Sequence, residues 1–197
     1  MNIKRLALLS IGALLALSTG AMAHTGQGVA HDLTHGFMHP LRGLDHLIAM
    51  VAVGVFAAQL GGRATYFVPV AFVLAMIAGG GAGYAGLPLP MVEQGIGLSV
   101  VVLSVAVALG ARLPLAISMT VVGLFAVFHG HAHGAEGAGA ANFIPYAAGF
   151  VLATSTLHIA GIALGRTVDH VGTTLSINLK RWIGAAGAIA GVMILAG

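Results

Sequence analysis

The sequence predicts an all-α integral membrane protein: a cleaved N-terminal signal peptide, 1–23, followed by a single domain, 24–197, built as a bundle of six transmembrane helices with the N- and C-termini outside. Three observations carry this prediction. Of 197 residues, 58% are hydrophobic and 7% charged, and mean hydropathy is +1.01, whereas a soluble domain clothes its surface with about 25% charged residues. Apolar stretches of roughly 18 residues, long enough to cross the hydrocarbon core as helices, recur along the chain. Basic residues are also divided unequally between successive loops. The eight Lys and Arg stand singly or in pairs rather than in a stripe, which argues against nucleic acid as a partner. The absence of Cys removes disulfide frameworks, thiolate zinc sites and thiol nucleophiles.

Residues Met1 to Ala23 combine a basic start at Lys4 and Arg5, an apolar run from Leu6 to Leu17 and a small-residue site at Ala21-Met22-Ala23. This is the three-part pattern of a secretory signal, with cleavage expected before His24. Cleavage leaves six basic and five acidic residues, so the formal +3 falls to +1. It also exposes the amine and imidazole of His24, which together can chelate a metal ion.

The six expected spans are Pro40 to Leu60, Thr65 to Gly86, Met91 to Ala111, Pro114 to Gly130, Asn142 to Gly165 and Trp182 to Gly197. Backbone polar groups in lipid must be paired internally, and these segments lack the alternation of barrel strands, so they are expected as helices. Gly62-Arg63, Pro88-Leu89-Pro90, Arg112-Leu113-Pro114, the Gly/Ala stretch after Glu136 and Arg166 to Arg181 separate them. With the N-terminus outside, the inner loops hold Arg63, Arg112, Arg166, Lys180 and Arg181, and the outer segments hold only Arg42. That asymmetry obeys the positive-inside rule and puts both ends at the periplasm or exterior; the expected location is a bacterial inner (cytoplasmic) membrane, multi-pass. Gly161-x-x-x-Gly165 and Gly187-x-x-x-Gly191 have the spacing that lets membrane helices pack closely.

On this topology eight of the ten His lie at the outer face. His24, His31, His35, His39 and His46 precede or open the first span, and His129, His131 and His133 end the fourth. In His39-Pro-Leu-Arg-Gly-Leu-Asp45-His46, a helix beginning at His39 would bring His39 and His46 to one face with Asp45 beside them. Imidazole and carboxylate suit divalent first-row metals. Asp45 can instead pair with Arg42 or orient an imidazole as an acceptor. An ionised Asp in the membrane costs about 2.5–3.5 kcal/mol, so a compensating partner is required.

In Phe128-His129-Gly130-His131-Ala132-His133-Gly134-Ala135-Glu136, a continuing helix puts His129, His133 and Glu136 in one arc and points His131 away. Gly130, Gly134 and Gly137 also admit a Gly-rich loop wrapped around an ion, which His131 would then join. His158, inside the fifth span with Thr154 and Gly161 or Gly165 along its stripe, is either an ion relay or an interhelical hydrogen-bonding residue. Glu93, at the outer start of the third span, is a further ligand or a carboxylate favoured by the helix dipole.

These motifs resemble those of the HupE/UreJ family of nickel and cobalt permeases, membrane accessories of hydrogenase and urease maturation. His39, Asp45 and His46 match the family's His, five residues, Asp-His pattern. Phe128, His129, Gly130, Ala132, His133, Gly134 and Glu136 match its Phe-His-Gly-x-Ala-His-Gly-x-Glu pattern, with His131 in the variable slot. The resemblance spans essentially the whole mature chain. It implies transport of Ni2+ or Co2+ rather than another use of a bound cation, no catalysis and no resident cofactor, and an outer-membrane metal receptor or a metallochaperone as partner. The expected ligands are His24, His39, Asp45, His46, His129, His133 and Glu136, with Glu93, His158, His31, His35 and His131 as weaker candidates. No Walker phosphate loop is present, so ATP coupling would need another subunit. A non-transporting metal-binding receptor and an intramembrane metalloenzyme, such as a di-iron hydroxylase, are the alternatives.

Overall fold

The structure is a computed structural model that describes residues 32–138 and 142–197. The expected signal segment, His24 and His31 lie outside the described residues. Seven helices follow one another: α1 (Leu33–Arg42), α2 (Leu44–Leu60), α3 (Ala64–Tyr84), α4 (Val92–Ala108), α5 (Leu115–Glu136), α6 (Phe143–Asp169) and α7 (Thr173–Ala196). No strand occurs among the described residues. Helices α3, α5, α6 and α7 are each long and apolar enough to cross a membrane, and α1 with α2 passes the same test as one broken span. The remaining helix, α4, has 17 residues, about 26 Å at 1.5 Å per residue, at the short end of spanning helices. Large apolar side chains such as Tyr66, Leu74, Leu124, Ile159 and Ile189 face outward, as lipid contact requires. The chain is a multi-pass membrane protein.

Three expected boundaries are corrected. The first span is not one helix from Pro40: the chain bends by 84° between α1 and α2, and Pro40 sits in the last turn of α1 rather than the first turn of a span. A proline lacks the N–H that would continue the ladder, and α1 ends two residues later. The fourth span does not stop at Gly130, because α5 continues to Glu136. Arg166 to Arg181 is not a loop, since α6 runs to Asp169 and α7 begins at Thr173. The connection turns at Gly172, whose φ of +95° suits only a residue without a Cβ. Lys180 then donates to Asp169 across it.

Helices pair off through glycines that bring backbones together. A Cβ on Gly130 or Gly134 of α5 would collide with the carbonyls of Met76 and Gly80 on α3. Gly54 of α2 meets the His158 carbonyl and Gly161 of α6, and Gly184 of α7 meets Ser104 and Ala108 of α4. Gly161 and Gly187, expected to serve packing, do so. Helix α1 lies across the start of α6, with Gly36 against the Tyr146 carbonyl and Gly149 against that of Leu33. Arg63 and Arg112 line one cleft with Leu60, Gly61 and Pro114, so the loops expected inside meet at one end. The imidazole motifs gather at the other.

Candidate metal site

Two carboxylates set the geometry. The Asp45 carboxylate accepts from the His46 backbone N–H and from the His46 ring, both at 2.8 Å. It is buried, and of the alternatives the sequence leaves open it is the acceptor that orients the His46 imidazole. At the end of α5, His133 Nδ1 lies 3.0 Å from the carboxylate of Glu136, one turn along the helix. An ionised carboxylate only accepts, so each of these rings carries its proton on Nδ1 and presents an unprotonated Nε2. The two Nε2 atoms lie 2.6 Å apart. Two lone pairs aimed at one point repel unless a cation or a shared proton lies between them. Carboxylate–histidine pairs of this kind orient metal-binding imidazoles. An ion with nitrogen bonds of about 2.0–2.1 Å in tetrahedral geometry holds its nitrogens about 3.3 Å apart, so the rings would need to separate by less than an ångström.

His39 completes the cluster despite the bend. From the last turn of α1 its ring lies 4.5 Å from that of His133 and 6.1 Å from that of His46, centroid to centroid. One ring nitrogen each of His39 and His133 and a carboxylate oxygen of Glu136 fall within 4.8 Å of one another. The shared face foreseen for His39 and His46 on one straight helix is therefore replaced by a corner that folds α1 over α2. Gly43 forms that corner: a Cβ there would stand 2.7 Å from Asp45 Oδ1 and 3.3 Å from His46 Nδ1. Its φ of −85° is open to any residue, so glycine is needed for space rather than for conformation. The Gly43→Ala protein is expected to keep its helices by circular dichroism yet bind Co2+ more weakly than wild type in an optical titration.

His129 stands one layer deeper, its ring 4.8 Å from that of His46. Ser99 of α4 spends its one hydroxyl hydrogen on the Ile96 carbonyl at 2.6 Å. It must then accept from His129 Nε2, 2.8 Å away, which leaves His129 Nδ1 as the unprotonated atom. That atom is buried without a hydrogen-bond partner among the described residues. Sequence reasoning missed Ser99, along with Tyr146 and Phe150, whose rings wall the cluster beside His39 and His133. A Ser in an apolar run, one of two in α4, was the only signal for the first, and none marked the aromatics.

The other candidates are spread around this group. His35 sits at the rim, its ring 6.4 Å from that of His39. His131 turns away, as the helical arc requires, and its Nε2 lies 2.7 Å from the Leu87 carbonyl, tying α5 to the α3–α4 loop. Glu93 is exposed in the first turn of α4, where the dipole favours it. His158 is buried on α6, and the Phe72 ring neighbours both it and His129. Glycines 130 and 134 do not form a wrapping loop; they lie inside α5.

Comparison with known proteins shows the family of the chain. Residues 12–194 match the family described as HupE / UreJ protein. Protein HupE of Rhizobium leguminosarum bv. viciae is 43% identical over 185 residues, covering 93% of this chain and 95% of that protein. No solved structure matches the chain.

Proposed function

The chain belongs to the HupE/UreJ family, and on that premise we propose that it is a permease for Ni2+ or Co2+ that captures the ion at the periplasmic face and passes it to the cytoplasm. Capture falls to His39, His46 and His133, with Glu136 as a fourth ligand or as the acceptor that orients His133. Asp45 acts through His46. His129 waits below as the next donor. The observation that carries this reading is the convergence of two unprotonated Nε2 atoms, each fixed by a carboxylate on the far side of its ring. In this reading the bundle has six spans, with the bent α1–α2 pair and the short α4 counted as one each and the arginine-bearing loops facing the cytoplasm of a bacterial inner membrane. The imported ion supplies hydrogenase or urease maturation, handed over by a metallochaperone.

Uptake of Ni, Co, Zn and Mn compared in cells lacking their own importers tests this. Accumulation of Ni or Co above that of vector-only cells is the expected result, and none of either ion overturns the proposal. Asp45→Asn keeps the side-chain volume and removes the charge that fixes the His46 tautomer. Loss of such a supporting carboxylate costs about 10–100-fold in metal affinity. That range is the expected shift in half-saturation for uptake.

A further inference from the structure

We propose that this protein carries a second, deeper station for a divalent transition-metal ion, formed by the His158 imidazole with the Met76 thioether and the Thr154 hydroxyl beside it, and closed off from the outer imidazole cluster by the ring of Phe72.

His158 is 1% exposed, and neither of its ring nitrogens has a hydrogen-bond partner among the described residues. A neutral imidazole has one donor and one acceptor, and native interiors seldom leave both unused without a reason. An interhelical hydrogen bond, the structural role open to a membrane His, is not made to any described residue. The surroundings instead offer further donor atoms. Thr154 stands one turn before His158 on the same face of α6, and its hydroxyl meets Met76 Sδ of α3 at 3.7 Å. Met76 in turn stands one turn after Phe72 on α3, and the Phe72 ring lies edge-on to His158 at 5.0 Å. The Thr154–Met76 contact and the Phe72–His158 contact thus lie on adjacent turns of the same two helices, so oxygen and sulfur stand one turn from the imidazole. Imidazole and thioether select late first-row ions over Mg2+ and Ca2+.

Phe72 accounts for the separation. Its ring is fully buried and touches both sides, 5.8 Å from His129 and 5.0 Å from His158. His129 Nδ1, unprotonated and unpartnered, is the last donor above it. The His46 and His129 rings lie 4.8 Å apart, and the apolar Phe72 ring stands next to His129 with the His158 ring against it as well. An ion moving inward would exchange the outer imidazoles for His158 once the Phe72 ring turns aside. This inference rests on the permease reading for its purpose, but the site itself can be measured without transport.

The test uses the full chain in detergent micelles, titrated with Co2+ and followed by visible absorption and elemental analysis, beside vesicles reconstituted for Co2+ flux. Wild type is expected to take up about two ions per chain, and His158→Leu and His158→Gln about one, each keeping the absorption of the outer ion. Retention of that outer ion shows that the variants fold. Both variants should lose flux. A second ion bound by the His158 variants as by wild type, or a wild type that binds only one ion, overturns the second station. Wild type that binds two ions and moves none across the bilayer contradicts the permease reading and leaves the station standing.

Discussion

Cells producing the His46→Ala protein should take up labelled nickel and cobalt no faster than cells without the protein, at equal amounts in the membrane. The substitution removes the Nε2 atom that meets His133 and leaves the Asp45 carboxylate buried beside it without its imidazole. Taking one hydrogen-bond donor from a buried carboxylate costs about 1–3 kcal/mol or more, so the variant is expected to melt lower as well. His133→Ala removes the other half of the meeting point but no buried charge, because Glu136 is exposed. It should abolish uptake with a smaller loss of stability. The pair of variants separates the ligand role from the structural one: uptake lost in both, stability lost mainly in the first. Wild-type uptake in either would remove the Nε2 meeting point from the transport path.

Gly134→Leu is expected to have the largest effect on folding. The Gly134 Cα faces the Gly80 carbonyl of α3 at a distance no side chain can enter. Overpacking a core costs about 1–3 kcal/mol where side chains can yield. Backbone cannot yield in that way, so the cost here should reach or exceed the top of that range, and α5 should separate from α3 and carry His129 and His133 with it. Gly81→Ala is the comparison, because open space surrounds that position and a Gly-to-Ala change within a helix shifts stability by about 1 kcal/mol at most. Melting temperature in detergent, read beside Co2+ binding, should fall sharply for Gly134→Leu and hardly change for Gly81→Ala.

The parts of the site set by local periodicity were legible in the sequence. His129, His133 and Glu136 share an arc wherever α5 is helical, and two of the glycines that cast doubt on that helix, Gly130 and Gly134, are what lets it lie against α3. Asp45 next to His46 needed no tertiary information either. The bend was not legible, because the angle between α1 and α2 depends on α1 packing across the start of α6 through Gly36 and Gly149, more than a hundred residues away. For the same reason the contribution of His39 was foreseen with the wrong geometry, and Ser99, Tyr146 and Phe72 were not foreseen at all. Each becomes part of the site only through a partner on another helix. The end of α6 and the start of α7 fall inside Arg166 to Arg181, the segment expected as a connection, and Lys180 and Arg181 lie within α7. Both are good helix formers, and Lys180 meets Asp169 from within α7.

The most direct measurement is ion trapping. Vesicles reconstituted with the purified wild-type protein and loaded with a metal-sensitive dye are exposed to external Ni2+ or Co2+, and the interior signal is followed in time. The account predicts a saturable rise that resists removal of external ion by an impermeant chelator and is absent with His46→Ala or His133→Ala. Tight binding of Ni2+ or Co2+ with no ion trapped inside would contradict it and make the protein a metal receptor.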